Sequence, residues 1–137
     1  MKAVGPSGVF GLLLAASSAY AANGIDVRRG MDAMVYGNCV PSLVVENKST
    51  EIIEYLQVDV VIELANGQER TVELKSAYRE GVLHYIAPGD KATLKQHLDT
   101  SRAIGVGCID VKTLRVVRTI CEVVGGDPCA SSVMVQP

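Results

Sequence analysis

The chain has 137 residues and a formal charge of -2, with 13 Lys and Arg against 15 Asp and Glu. That balance lacks the basic footprint of a nucleic-acid binder. The length suits one domain with a real core, not two.

The first residues carry a lone Lys2, then an apolar segment from Val9 to Ala16, then Ser17-Ser18-Ala19-Tyr20-Ala21. A weakly basic start, a short apolar centre and a small-x-small ending predict a secretory signal peptide over residues 1–21, cut after Ala21. A membrane anchor would need about 20 apolar residues, and this segment is interrupted by Gly5, Pro6, Ser7, Gly8 and the Ser17-Ser18 pair. No Cys follows the small-residue site, which argues against a lipid anchor. Residues 22–137 then form a single exported domain, periplasmic or secreted, with no apolar run long enough to span a membrane.

Residues 22–38 show no sustained period, and a first edge strand is expected near Met34 to Tyr36. Ser42 to Asn47 is Val-rich and reads as a strand closed by the turn Asn47-Lys48-Ser49-Thr50. The run Tyr55 to Leu64 sets Leu56, Val58, Val60, Ile62 and Leu64 against Gln57, Asp59 and Glu63, a strand with one buried face. Asn66-Gly67 follows, then Glu69 to Leu74. An Asn-Gly pair between two strand-like runs is a strong hairpin signal, because both residues tolerate positive φ. The polar side of this hairpin, with Gln57, Asp59, Glu63, Glu69 and Glu73, is expected to face water. Ile104, Val106 and Cys108 are expected to cover its apolar face.

Val82 to Ile86 alternates and predicts a short strand, and Pro88-Gly89-Asp90 predicts a turn. Lys91 to Leu98 alternates with Thr93 and is read as strand over helix. Ala103 to Val111 alternates through Ile104, Val106 and Cys108, and Leu114 to Val124 predicts the last long strand. Gly125-Gly126-Asp127-Pro128 breaks it, leaving Cys129 to Val135 as a tail with a short strand at best. Seven or eight strands with regular turns and no amphipathic helix predict an all-β, antiparallel β-sandwich of about seven strands, with a barrel as second choice.

Four cysteines, Cys39, Cys108, Cys121 and Cys129, fall in the exported part. An even count in a small exported domain implies two disulfides, and no close Cys pair suggests zinc. Cys108 shares parity with Ile104 and Val106, while Cys39 opens a strand of the opposing sheet. A Cys39–Cys108 bridge with Cys121–Cys129 is therefore favoured among three pairings, and spacing alone leaves the other two open.

Asn47-Lys48-Ser49, the long strand Val58 to Leu64 ending in Asn66-Gly67, and Pro88-Gly89 ahead of another strand resemble bacterial extracytoplasmic immunoglobulin-like domains of the FxLYD type. The resemblance covers Ser42 to Leu98 and implies that the sandwich is an antiparallel immunoglobulin-like β-sandwich. The family's aromatic-leucine-tyrosine-aspartate signature has no counterpart in Val-Val-Ile-Glu-Leu, and no functional residue carries over.

Chemistry is sparse. His84 and His97 are the candidates for acid-base work at neutral pH, and no nucleophile elbow, His-Glu-x-x-His run or phosphate loop accompanies them. Met31, Met34 and Met134 with the two histidines supply soft and imidazole ligands suited to copper, but form no close cluster, so neither a metal site nor a cofactor is expected. Glu63, Glu69 and Glu73 read as a solvated face guarding an edge. Asn47-Lys48-Ser49 matches a glycosylation acceptor and also an ordinary turn. The loop from Lys75 to Tyr85 holds Tyr78, Arg79, Leu83 and Tyr85, residue types common at binding hot spots. The expectation is a non-catalytic interaction module for another protein of the cell envelope or extracellular space, such as an accessory subunit of an envelope assembly or an inhibitor or immunity protein. The second expectation is a small-ligand or copper carrier of the periplasm.

Overall fold

The computed structural model describes residues 24–76, 85–96 and 104–136. The signal peptide expected at residues 1–21 lies outside them. Nine strands are described: β1 (Ile25–Arg29), β2 (Ala33–Val35), β3 (Asn38–Val40), β4 (Ser42–Asn47), β5 (Ile53–Leu64), β6 (Glu69–Lys75), β7 (Lys91–Lys95), β8 (Val111–Val123) and β9 (Val133–Gln136).

β5 is the centre of the fold. Its alternation places Leu56, Val58, Val60, Ile62 and Leu64 in the core, each worth about 1.5–3 kcal/mol of apolar burial. Gly67 adopts φ +87° in the turn that follows, and β6 returns antiparallel so that Val60 faces Val72 and Val58 faces Leu74. Inward side chains thus meet inward side chains, which is what sets register when one face is buried. On the other flank β8 pairs with β5 antiparallel. Val117 and Lys112 are the residues skipped on β8 at two register shifts, bulges that bend and twist the strand.

A second arm is built the same way. β4 lies between β1 and β7, with Val45 facing Val27 and Leu43 facing Leu94. The hydrogen-bonded order is β8-β5-β6-β7-β4-β1-β9, a single seven-stranded sheet. The arms meet at one residue pair between β6 and β7, Lys75 with Lys95, and at the bridge between Ile53 and Ile86. At the far ends of the order, the Cys121–Cys129 disulfide and the Cys129 N–H, which donates to the Cys121 carbonyl at 3.0 Å, draw the ends of β8 and β9 together. The sheet therefore curls almost into a barrel around one core. All-β character and two disulfides are observed. The immunoglobulin-like two-sheet arrangement is not confirmed, because pairing runs unbroken through seven strands.

Several elements differ from expectation. β1 precedes the predicted first strand: its two core side chains, Ile25 and Val27, are too few to produce a visible period. The final strand β9 pairs parallel to β1, so the sheet is not wholly antiparallel. Residues 104–110 are not a strand. Gly105 takes φ +87°, a conformation that ends an extended run, and Cys108–Asp110 forms a 3-10 turn. Ile104 is buried, whereas Val106 only packs against the core margin. Of the expected strand Val82 to Ile86, Ile86 contributes the single bridge to Ile53, and residues 82–84 lie outside the described residues. Gln57 and Asp59 are buried rather than solvated. The Tyr55 hydroxyl donates to Gln57 Oε1, Gln57 Nε2 donates to Asp59 Oδ1 at 2.6 Å, and Arg118 Nε donates to Asp59 Oδ2 at 2.9 Å. These side chains cover one another along a strand flanked on both sides. Among the described residues no helix is long and apolar enough to cross a membrane.

Candidate interaction surface

The four most exposed apolar side chains of the described residues lie on or beside a small second sheet: Met34 in β2, Tyr36 in the turn after it, Met31 just ahead of it, and Ile109 in the 3-10 turn that is disulfide-bonded to β3. β2 and β3 pair antiparallel with Met34 opposite Cys39. Tyr36 and Gly37 link them with φ +50° and +78°, the pair of positive values that a two-residue type I′ turn requires. Tyr36 is the one described non-glycine residue with positive φ. Such backbone costs of order 1–3 kcal/mol and persists where surrounding structure over-determines it.

That surrounding structure is present. Cys39 is bonded to Cys108, with Cα atoms 4.6 Å apart, and its N–H donates to the Val106 carbonyl at 2.7 Å. The Cys108 N–H donates to Met34 Sδ at 3.4 Å. Ser42 Oγ donates to the Met31 carbonyl at 2.7 Å, and Gly30 N–H to the Ser42 carbonyl at 2.9 Å. Buried Cys39 and Val40 anchor the base of the hairpin. Above this base Tyr36 is 97% exposed, Ile109 94%, Met31 91% and Met34 56%. The tip presents large apolar groups on a backbone held by a disulfide and four hydrogen bonds. Little backbone entropy remains to be lost on binding, which favours affinity, although the exposed methionine side chains still have rotamers to fix.

Electrostatics limit what fits there. Between residues 31–40 and 104–110 the ionisable side chains, cysteines and Tyr36 aside, are Asp32 and Asp110. Arg29 neutralises Asp32 at 2.6 Å, leaving the exposed Asp110 carboxylate beside Ile109. Asp32, Cys39 and Cys108 place one ligand atom each within 4.8 Å of one another. Both sulfurs are committed to the disulfide and the carboxylate to Arg29, so the donors do not suit a cation.

The residues singled out from sequence fare differently. Tyr78, Arg79 and Leu83 lie outside the described residues, as do His84 and His97; Tyr85 is exposed beside the Ile86 bridge. Met31 and Met34 belong to the tip, while Met134 sits on β9. Glu73 pairs with Lys75 at 3.1 Å, Glu69 stands 3.8 Å from Arg115, and Glu63 accepts from Thr113 Oγ1 at 3.2 Å. Each of these carboxylates has a cation or a hydroxyl as its neighbour. Asn47 of the acceptor-like Asn-Lys-Ser is fully buried, its Nδ2 donating to the Glu51 and Ile86 carbonyls at 2.8 and 2.9 Å, so the side chain serves the turn and is shielded from modification in the folded protein.

Glu51 holds the start of the last strand. It accepts from the Ala130 and Ser131 N–H groups at 3.1 and 2.8 Å. Hydrogen bonding from the Ser131 side chain, and then from these two backbone groups, keeps its carboxyl below the usual range against a small opposing effect of burial.

The tip escaped the sequence reading because Tyr-Gly is a weak turn signal beside Asn-Gly, and because Ile109 sat within a run that alternates like a strand. No protein-family model matches the chain, and no curated protein does. Among solved structures the chain is similar to IrmA from Escherichia coli, with a TM-score of 0.55 and 16% identity over 82% of this chain and 91% of that one. The likeness is one of fold, shared with a bacterial protein.

Proposed function

We propose that the chain is an exported, non-catalytic binding module that grips another protein of the envelope or extracellular space with its braced apolar tip. The observation that carries this reading is the exposure of Met31, Met34, Tyr36 and Ile109 on and beside a disulfide-held hairpin. Rigid aromatic and apolar anchors are the usual energetic centre of protein interfaces. The acidic neighbour Asp110 opposes docking on an anionic lipid surface and fits an apolar recess with a basic rim. Two disulfides suit an oxidising compartment and agree with removal of residues 1–21 on export to the periplasm or medium. Two arms joined only by one residue pair and one isolated bridge favour an immunoglobulin-like reading of the sheet, the level at which the FxLYD resemblance applies.

The test is retention on immobilised protein from envelope and culture fluid of the producing cell. Wild type should hold one protein at fixed stoichiometry, and Tyr36→Ser with Ile109→Ser should lose it by at least roughly tenfold, as for hot-spot residues. Equal retention by both forms would move the binding surface elsewhere; binding to anionic vesicles would replace the protein partner with lipid.

A further inference from the structure

β8 is the longest strand and stands at the end of the sheet order. Among the described residues no strand pairs with its outer edge from Val111 to Ile120; beyond that point the bridge between Glu122 and Pro128 closes it. Ten residues of open edge span about 33 Å. The core is open along the same line. Val111, Leu114 and Val116 point inward yet are only partly buried, as are Val133 and Val135 on β9, the other end of the sheet. Where the two margins converge lies a concavity of about 420 Å³, with Thr119, Ile120 and Glu122 on one bank and Pro128, Ser131 and Val133 on the other.

Residues 111–120 of this edge strand carry three cations, Lys112, Arg115 and Arg118, and no carboxylate, the acidic partners Asp59 and Glu69 standing one and two strands further in. Arg115 lies opposite Val61 and Arg118 opposite Asp59, with Lys112 exposed at a bulge. Arg118 engages Asp59 through Nε alone, and Arg115 is 3.8 Å from Glu69. Both side chains are more than 60% exposed, so guanidinium N–H groups remain turned to water. Proline and inward-pointing charge are absent from Val111 to Ile120; the guards present are the bulges at Lys112 and Val117 and the three outward cations, which repel a cationic strand and admit an acidic one.

We propose that β8 takes up an extended strand from a partner protein, a segment alternating apolar and acidic residues, which enters the seam between β8 and β9. Its backbone satisfies the open edge. Apolar side chains cover Leu114 and Val116, and carboxylates lie beside Arg115 and Arg118 as cross-strand neighbours. A second copy fits poorly, since antiparallel pairing of two β8 edges sets these cations against each other. This surface does not depend on the apolar tip.

The experiment uses two synthetic peptides of about ten residues, one alternating Val with Glu and the other Val with Lys, and reads amide hydrogen exchange of the whole protein. The Glu peptide should slow exchange at outward-facing amides of residues 111–120 by roughly tenfold or more, and the Lys peptide should not. Lys112→Glu with Arg115→Glu, both exposed positions, should transfer the effect to the Lys peptide while exchange in β4 stays unchanged. Tyr36→Ser should leave it intact. No protection by either peptide, slow exchange at these amides before peptide is added, protection from raising protein concentration alone, or an unaltered peptide preference in the charge-reversed variant would each overturn the proposal.

Discussion

Asn47 commits its whole amide to the backbone and side chains around it. Nδ2 donates to two carbonyls, and Oδ1 accepts from the Ser49 N–H and Oγ at 3.0 and 2.6 Å. Replacing it with Ala would strand buried groups at about 1–3 kcal/mol each, so Asn47→Ala should lower unfolding stability by roughly 3 kcal/mol in urea titration; a loss within about 0.5 kcal/mol, typical of a surface site, would contradict the geometry. Glu51 makes a pH-dependent contribution. Its folded-state pKa lies below the ordinary 4.5, so its stabilisation is fully present above that value and is lost as pH falls through the lowered folded-state pKa. Glu51→Gln should flatten the acid limb of the stability–pH curve there. A variant curve parallel to wild type would show that the carboxylate does not grip Ala130 and Ser131.

At the scale of elements, the β5–β6 hairpin was legible because two independent signals coincide: strict alternation from Leu56 to Leu64 and a turn that needs positive φ. Gly67→Ala should cost about 1–2 kcal/mol for the left-handed backbone, measured by thermal unfolding, with no loss if the turn adopts another type. β1 was illegible because Ile25 and Val27 gain meaning only from the strands that flank them, and a parallel partner such as β9 leaves no local mark. The expected strand over residues 103–111 failed for a different reason: alternation is necessary for a half-buried strand but does not exclude a glycine-led turn. Gln57 and Asp59 carried the right face but the wrong exposure, since a strand enclosed on both flanks lets long polar neighbours cover one another. The tip was readable only in part, as Met34 and Tyr36, because its exposure depends on a bridge between residues 69 apart in sequence.

Over the whole molecule two cross-links of unequal reach act at different places: Cys121–Cys129 draws together the ends of the seven-stranded sheet, and Cys39–Cys108 ties the two-stranded hairpin to the 3-10 turn ahead of β8. In the chain-entropy description, Cys39–Cys108 is worth about 4 kcal/mol and Cys121–Cys129, separated by 8 residues, about 2.5 kcal/mol. Paired Cys→Ser variants should therefore differ by roughly 1.5–2 kcal/mol in guanidinium unfolding, and the reverse order would refute the loop-length account. The longer bridge also fixes the tip on which the functional reading rests. The most direct measurement is photo-cross-linking in the producing cell from a reactive phenylalanine derivative placed at Tyr36, compared with the same group at Asn66, an exposed turn of the β5–β6 hairpin. A discrete protein adduct from position 36 and none from position 66 is predicted; adducts of equal yield from both, lipid adducts alone, or none from position 36 would contradict a tip built to bind protein.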